Sequence, residues 1–175
     1  MTPYGVVTEH GTVRLERVLK GPIEQVWEYL TDSDKRGTWL AEGSMDLRPG
    51  DPVALKFNHA NLSSEKTVPD PYRARDGKTL TGTITGCEPP RLLSFTWDDD
   101  EGANSEVKFE LTPQSDGNVL LAVTHSHLPN HQAIVTAASG WGAHLGILED
   151  TLNGVEPRPF WTTHAAMERE HRARL

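Results

Sequence analysis

Asn130–Gly154 reads NHQAIVTAASGWGAHLGILEDTLNG, and this stretch organises the chain. Apolar or small residues recur at Ile134, Ala138, Trp141, Leu145, Leu148 and Leu152, a spacing that lays one stripe along a long helix. Pro129-Asn130 supplies a stop and an N-cap, and Asn153-Gly154 a C-cap. Three glycines, Gly140, Gly142 and Gly146, sit inside this helix. Each weakens an exposed helix by about 1 kcal/mol relative to alanine, so burial of the stripe must hold the helix together. The glycines either let the helix approach a sheet closely or leave room beside Trp141 for a ligand.

The cover for that stripe lies upstream. Val119–Leu128 is a strand, reached through the turn Ser115-Asp116-Gly117-Asn118. Glu106–Thr112 alternates cleanly, with Val107, Phe109 and Leu111 on one face. Leu92–Trp97 places Leu93, Phe95 and Trp97 together, and Asp98–Asn104 forms an acidic hairpin tip. Thr79–Glu88 is a strand that Gly82 and Gly86 mark for a bend or bulge. Val53–His59 and the short Ser44–Leu47 flank an Arg48-Pro49-Gly50-Asp51 turn. Thr12–Leu19 is strand one, followed by a helix opening at Pro22 and a shorter one near Ser33-Asp34. Strands joined by short turns must be antiparallel, and the long helix is the one element broad enough to cover their apolar face. The fold class is therefore α+β: a curved antiparallel sheet of about six to seven strands around a long C-terminal helix, with two short helices after strand one. The division expected is a lead-in over 1–11, the domain over 12–154, and an extension over 155–175 that is partly helical. The polar connection Ala60–Lys78 is long enough to be functional or mobile.

Composition narrows the function. The chain has 175 residues, 36% of them hydrophobic, and a net charge of −8. An acidic domain lacks the Lys/Arg clusters that nucleic acid or anionic membrane requires. The longest apolar run is too short to span a bilayer. The opening MTPYGVVTEHGTV has neither a basic nor an apolar leader region, so no signal peptide is expected. A single cysteine, Cys87, allows no internal disulfide and fits a cytoplasmic location.

Several strings together resemble one family. They are LERVLKGPIEQVWEYLTDSDKRGTWL over Leu15–Leu40, DLRPGD over Asp46–Asp51 and GTITGCEPPRLLSFTW over Gly82–Trp97, followed by Thr124-His125-Ser126 and GWGAHL over Gly140–Leu145. The family is the one named for the C-terminal domain of the activator of the heat-shock protein 90 ATPase, within the START-like, birch-pollen-allergen-like (SRPBCC) superfamily. The resemblance implies the helix-grip fold, with a cavity between sheet and helix. It carries over no catalytic motif. The superfamily includes lipid binders, cyclases and co-chaperone domains, so fold alone does not choose among them. The co-chaperone itself carries a further N-terminal domain, whereas strand one here begins at Thr12.

The residues expected to line a ligand site are Trp39, Phe57, Trp97, Phe109, Val123, His125, Trp141, His144, Leu145 and Leu148. Aromatic walls with a few polar groups suit a small hydrophobic or aromatic molecule. No catalytic residue is assigned; in an enzymatic reading of the cyclase or hydratase kind, His125 or His144 is the acid/base. His125 and His127 alternate on a strand and would share a face, with His131 and His144 as further imidazoles. Metal binding is nevertheless not expected, because no carboxylate or cysteine has ligand spacing. No phosphate-cradling glycine motif occurs, so no cofactor is expected. Phe160 and Trp161 in the extension either pack back on the domain or meet a second copy, which leaves a homodimer open. A chaperone partner is the third functional class.

Overall fold

The computed structural model describes residues 2–98 and 104–175; most of the acidic tip expected over Asp98–Asn104 thus lies outside the described residues. The elements run β1 (Val6–Glu9), β2 (Thr12–Leu19), α1 (Ile23–Thr31), α2 (Ser33–Gly37), β3 (Pro52–Lys56), β4 (Thr79–Glu88), β5 (Leu92–Asp98), β6 (Asn104–Pro113), β7 (Val119–Ser126), α3 (His131–Leu152) and α4 (Phe160–Arg174). The strands make one sheet in the order β1-β2-β7-β6-β5-β4-β3, with every neighbouring pair antiparallel. The expected fold class is what the structure shows.

Pattern sets the register. In β6, Val107, Phe109 and Leu111 are buried between half-exposed Glu106, Lys108 and Glu110. Phe109 stands opposite Leu93 on one side and Val123 on the other, so the inward rows align across three strands. Bending comes from β4. Its register shifts between Ile84 and Gly86, and a Cβ on Gly82 would fall 1.9 Å from the Thr96 carbonyl oxygen. Only glycine permits that approach.

α3 begins as its sequence requires, with the Asn130 side chain accepting from the Ala133 amide at 2.9 Å. Gly154, at φ +68°, follows its end. The helix is not covered on one stripe alone. From Ala138 to Leu148 every residue but Gly140 is buried, because the sheet takes one side and α4 packs along the other. Two of the three helix glycines face that second layer. A Cβ on Gly142 would meet Met167 at 3.0 Å, one on Gly146 would meet the Arg158 side chain at 3.1 Å, and one on Gly140 would point into open space. Gly142 and Gly146 thus seat the C-terminal segment rather than the sheet.

The short helices aim Trp39 inward. Arg36 is buried, and its guanidinium donates to the carbonyls of Ala41 (3.0 Å), Leu30 and Thr31 (3.2 Å each) and Gly43 (2.6 Å). Those bonds fix the turn that delivers Trp39 to the core, where its Nε1 donates to the Tyr29 carbonyl at 2.8 Å.

Three local expectations change. Part of the 1–11 lead-in is a strand, β1, whose four residues are all exposed and so give no alternation. Ser44–Leu47 supplies only isolated bridges, Met45 with Val53 and, just ahead of it, Glu42 with Lys56. The strand read over Val53–His59 stops at Lys56, and His59 opens a 3-10 turn.

Candidate functional site

Two aromatic clusters flank α3. The first lies against the sheet. The Trp141 indole meets Trp97 at 5.4 Å, Phe109 at 5.6 Å and His125 at 6.4 Å between ring centres, and Trp39 joins through Phe109 at 6.5 Å. Its polar atoms are all answered. Trp141 Nε1 donates to His125 Nδ1 at 3.1 Å, which places the imidazole proton on Nε2. Nε2–H then donates to Ser105 Oγ at 2.8 Å, and Ser105 donates to the Trp97 carbonyl at 3.1 Å. Burial pushes the His125 pKa down to about 3, so the ring is neutral, with both nitrogens engaged. Val123, Leu145 and Leu148 are fully buried in the same core.

His127 does not join His125. β7 ends at Ser126, and His127 is exposed with φ +62°, so the alternation expected to put both rings on one face is broken. Among the described residues no group of three or more His, Cys, Asp or Glu side chains is arranged to hold a metal ion. Cys87 is half-buried, and burial raises its thiol pKa, which is opposite to what a nucleophile needs.

The second cluster forms where the connection after β3 and the C-terminal segment fold over α3. Phe57 links the two, 5.9 Å from Trp97 and 5.9 Å from His144. His144 Nδ1–H donates to the Trp39 carbonyl at 2.8 Å, and its ring lies 4.7 Å from Phe160 and 5.6 Å from His59. Burial, with the neighbouring His59, pushes its pKa down to about 3. His59 Nδ1–H donates to Asp76 Oδ1 at 2.8 Å, and the His59 amide donates to the same oxygen at 3.2 Å. Burial of Asp76 opposes its charge, but these bonds from His59 hold its carboxyl below the usual range.

Beyond His59 the cluster continues through Trp161 (4.9 Å), on which Tyr72 stacks at 4.9 Å, to His164, 5.4 Å from Trp161. The Tyr72 hydroxyl donates to Glu168 Oε2 at 2.5 Å; burial and that carboxylate raise its pKa to about 12. Glu168 is held below its ordinary pKa by Tyr72 and by Arg172. His164 is pushed down to about 4, chiefly by burial. Trp161 and His164 are only 7% and 8% exposed, yet Trp161 Nε1 and His164 Nδ1 have no hydrogen-bond partner among the described residues. His164, Tyr72, Glu168 and Ser139 border a cavity of about 120 Å³. A more open cleft of about 420 Å³ lies at the far end of α3, among Asp34, Thr38, Glu42, Leu62 and Thr151.

The structure thus brings all ten expected site residues to the interior, with Phe57 and Trp97 only half-buried. Sequence reasoning missed His59, Asp76, Tyr72, Phe160, Trp161 and His164 as site residues. The available signals were the length of the 60–78 connection and an apolar Phe-Trp pair in a polar tail.

A bent sheet gripping one long helix is the helix-grip architecture of the START-like (SRPBCC) class. Residues 20–153 match the model of the family described as activator of Hsp90 ATPase homolog 1-like protein, and the chain belongs to that family. Among solved structures, a Bordetella parapertussis protein determined by NMR is 42% identical, with 98% of this chain and 90% of that one covered and a TM-score of 0.82. CalU16 of Micromonospora echinospora is 24% identical over 93% of this chain and 86% of its own, with a TM-score of 0.71. The Aha1 dimer of Colwellia psychrerythraea is 15% identical over 81% and 95%, with a TM-score of 0.59. The last two likenesses speak for the fold alone. No curated protein matches the chain significantly. No helix among the described residues is long and apolar enough to cross a membrane.

Proposed function

We propose that this protein binds a small, largely apolar, aromatic molecule between its sheet and α3. Trp39, Phe57, Trp97, Phe109, Val123, His125, Trp141, His144, Leu145 and Leu148 form the wall. The observation that carries this reading is the unbroken run of rings from half-buried Phe57 and Trp97 inward to Trp141 and His144. Aromatic surface that reaches from solvent to interior, with few polar groups, is what small-molecule sites present. Fluorescence titration with N-phenyl-1-naphthylamine tests it: the expected result is saturable binding with quenching of tryptophan emission. Native mass spectrometry of freshly purified protein should show a co-purifying small molecule. Absence of both signals defeats the reading.

A catalytic reading has one observation in its favour, the His59–Asp76 pair. The carboxylate fixes the proton on Nδ1 and leaves Nε2 as an acceptor, the arrangement of a general base. It adds His59 to the candidate bases and removes His125, whose nitrogens are both engaged, while His144, with Nδ1–H bonded to the Trp39 carbonyl, stays a candidate. Turnover lost in His59→Gln with binding retained supports it; full turnover in that variant removes it. A homodimer rests on the Colwellia protein being described as a dimer, and sedimentation of this chain decides it.

A further inference from the structure

We propose that His171 is an acid-released clasp for the N-terminal segment: a proton on its Nε2 frees Tyr4–Glu9 from the domain, while α3 and the sheet from β2 onward stay in place. The device stands apart from the ligand reading above.

The segment hangs from a buried anchor. Gly5 is buried, whereas Val6–Glu9 are exposed and pair with β2 alone. The Gly5 amide donates to His171 Nε2 at 2.8 Å. Because Nε2 accepts, the neutral ring carries its proton on Nδ1. Nδ1–H donates to Ser139 Oγ at 3.2 Å, and the Ser139 hydroxyl donates to the Val135 carbonyl at 2.7 Å. A single run of hydrogen bonds thus ties the segment through α4 to α3, with the direction of every proton fixed.

A second proton on the ring breaks that run. A charged imidazole has two donors and no acceptor. Nε2–H would then face the Gly5 N–H, so a bond becomes a repulsion and a buried amide loses its acceptor. The segment cannot slide to a new partner, because Gly5 is wedged: a Cβ there would lie 2.9 Å from Val13 Cγ2 and 3.1 Å from Ala138 Cβ. Release into water gives both donors a partner.

The surroundings do not compensate the charge. Arg17 of β2 and Arg174 of α4 repel it, and Glu170, the opposing carboxylate, is itself paired with Arg174 at 3.0 Å. α3 contributes the uncharged Ser139, and the segment contributes the Tyr4 ring, edge-on at 5.8 Å. Burial first, then the two arginines, hold the His171 pKa below its ordinary 6.5. In the released state the ring meets water and titrates near 6.5. The clasp is therefore at full strength above that pH and weakens as pH falls below it. Release bares the outer edge of β2, a row of backbone groups able to accept another strand.

The test is NMR of the full chain between pH 7.5 and 5.5, following the Gly5 amide, the Val6–Glu9 backbone and the His171 ring together. The hydrogen-exchange protection factor of the Gly5 amide should fall by up to about tenfold per pH unit below 6.5. The heteronuclear NOE of Val6–Glu9 should fall in step with the His171 ring signals, while the Trp141 indole N–H stays protected. His171→Gln offers the Gly5 amide a carbonyl that does not titrate, so its segment should stay closed at pH 5.5. His171→Ala should release the segment at both ends of the range. Gly5 protection that holds to pH 5.5 in the wild type, or that falls out of step with the His171 ring, overturns the proposal however the variants fold. A fall of the same size in His171→Gln also overturns it, since the titrating group then lies elsewhere.

Discussion

On the sheet side of α3, Trp141 and His125 sit in a core where each ring nitrogen has a partner. On the tail side, Trp161 and His164 are buried to a similar degree, yet each leaves a nitrogen unbonded. The residue types are the same: an indole beside an imidazole, walled by phenyl rings. What differs is closure. The sheet-side set is held by strands whose register was fixed by alternation, and its hydrogen bonds run to completion. The tail-side set is assembled from an irregular connection and a terminal helix, and it stops two bonds short. Similar burial of polar aromatics thus goes with complete hydrogen bonding in one place and incomplete bonding in the other.

The largest expected effect is acid sensitivity. His125 and His144 are lowered from 6.5 to about 3, and His164 to about 4. A histidine kept neutral in the folded state binds fewer protons than in the unfolded chain. Stability is therefore lost as pH falls below about 6.5, and the loss continues down to the folded values. By pH 5 each of the three contributes a loss of about 2 kcal/mol. Urea unfolding between pH 7.5 and 5 should show this, with His164, the one lowered least, the first to take up a proton by NMR. Stability unchanged across that range would mean that the rings are open to water.

A smaller contrast separates the two indoles. Trp141→Phe strands His125 Nδ1 and should cost about 2–3 kcal/mol, whereas Trp161→Phe breaks no bond and should cost about 1 kcal/mol, from lost volume. Equal costs in chemical denaturation would erase the distinction between the clusters. The smallest effects concern the notch in α3. Gly140→Ala should gain about 0.5–1 kcal/mol from helix propensity, since its Cβ enters open space. Gly142→Ala should gain nothing, because Met167 must move aside at 3.0 Å. Thermal melts of the two variants rank them directly.

The sheet-side cluster was legible because periodicity names it. Val107, Phe109 and Leu111 alternate, Trp141, Leu145 and Leu148 repeat at helical spacing, and the caps at Asn130 and Gly154 are local chemistry. The tail-side cluster follows no period. His59 and Asp76 are 17 residues apart along a connection built of turns, so nothing in the chain pairs them before it folds. The glycines of α3 were legible as a notch, but its occupant was not. Met167 and Arg158 come from a segment whose place depends on tertiary contact. β1 escaped because a fully exposed edge strand needs no apolar alternation.

The Gly5 amide donates to His171 Nε2 at 2.8 Å, and the Arg174 guanidinium lies 4.1 Å over the Tyr4 ring. The molecule is thus topologically almost a loop. A short peptide would join its extremities, and the exposed turn Ser115–Gly117 offers a place to reopen it. In such a permuted polypeptide the most distant pairing in the sequence would become a neighbourly one.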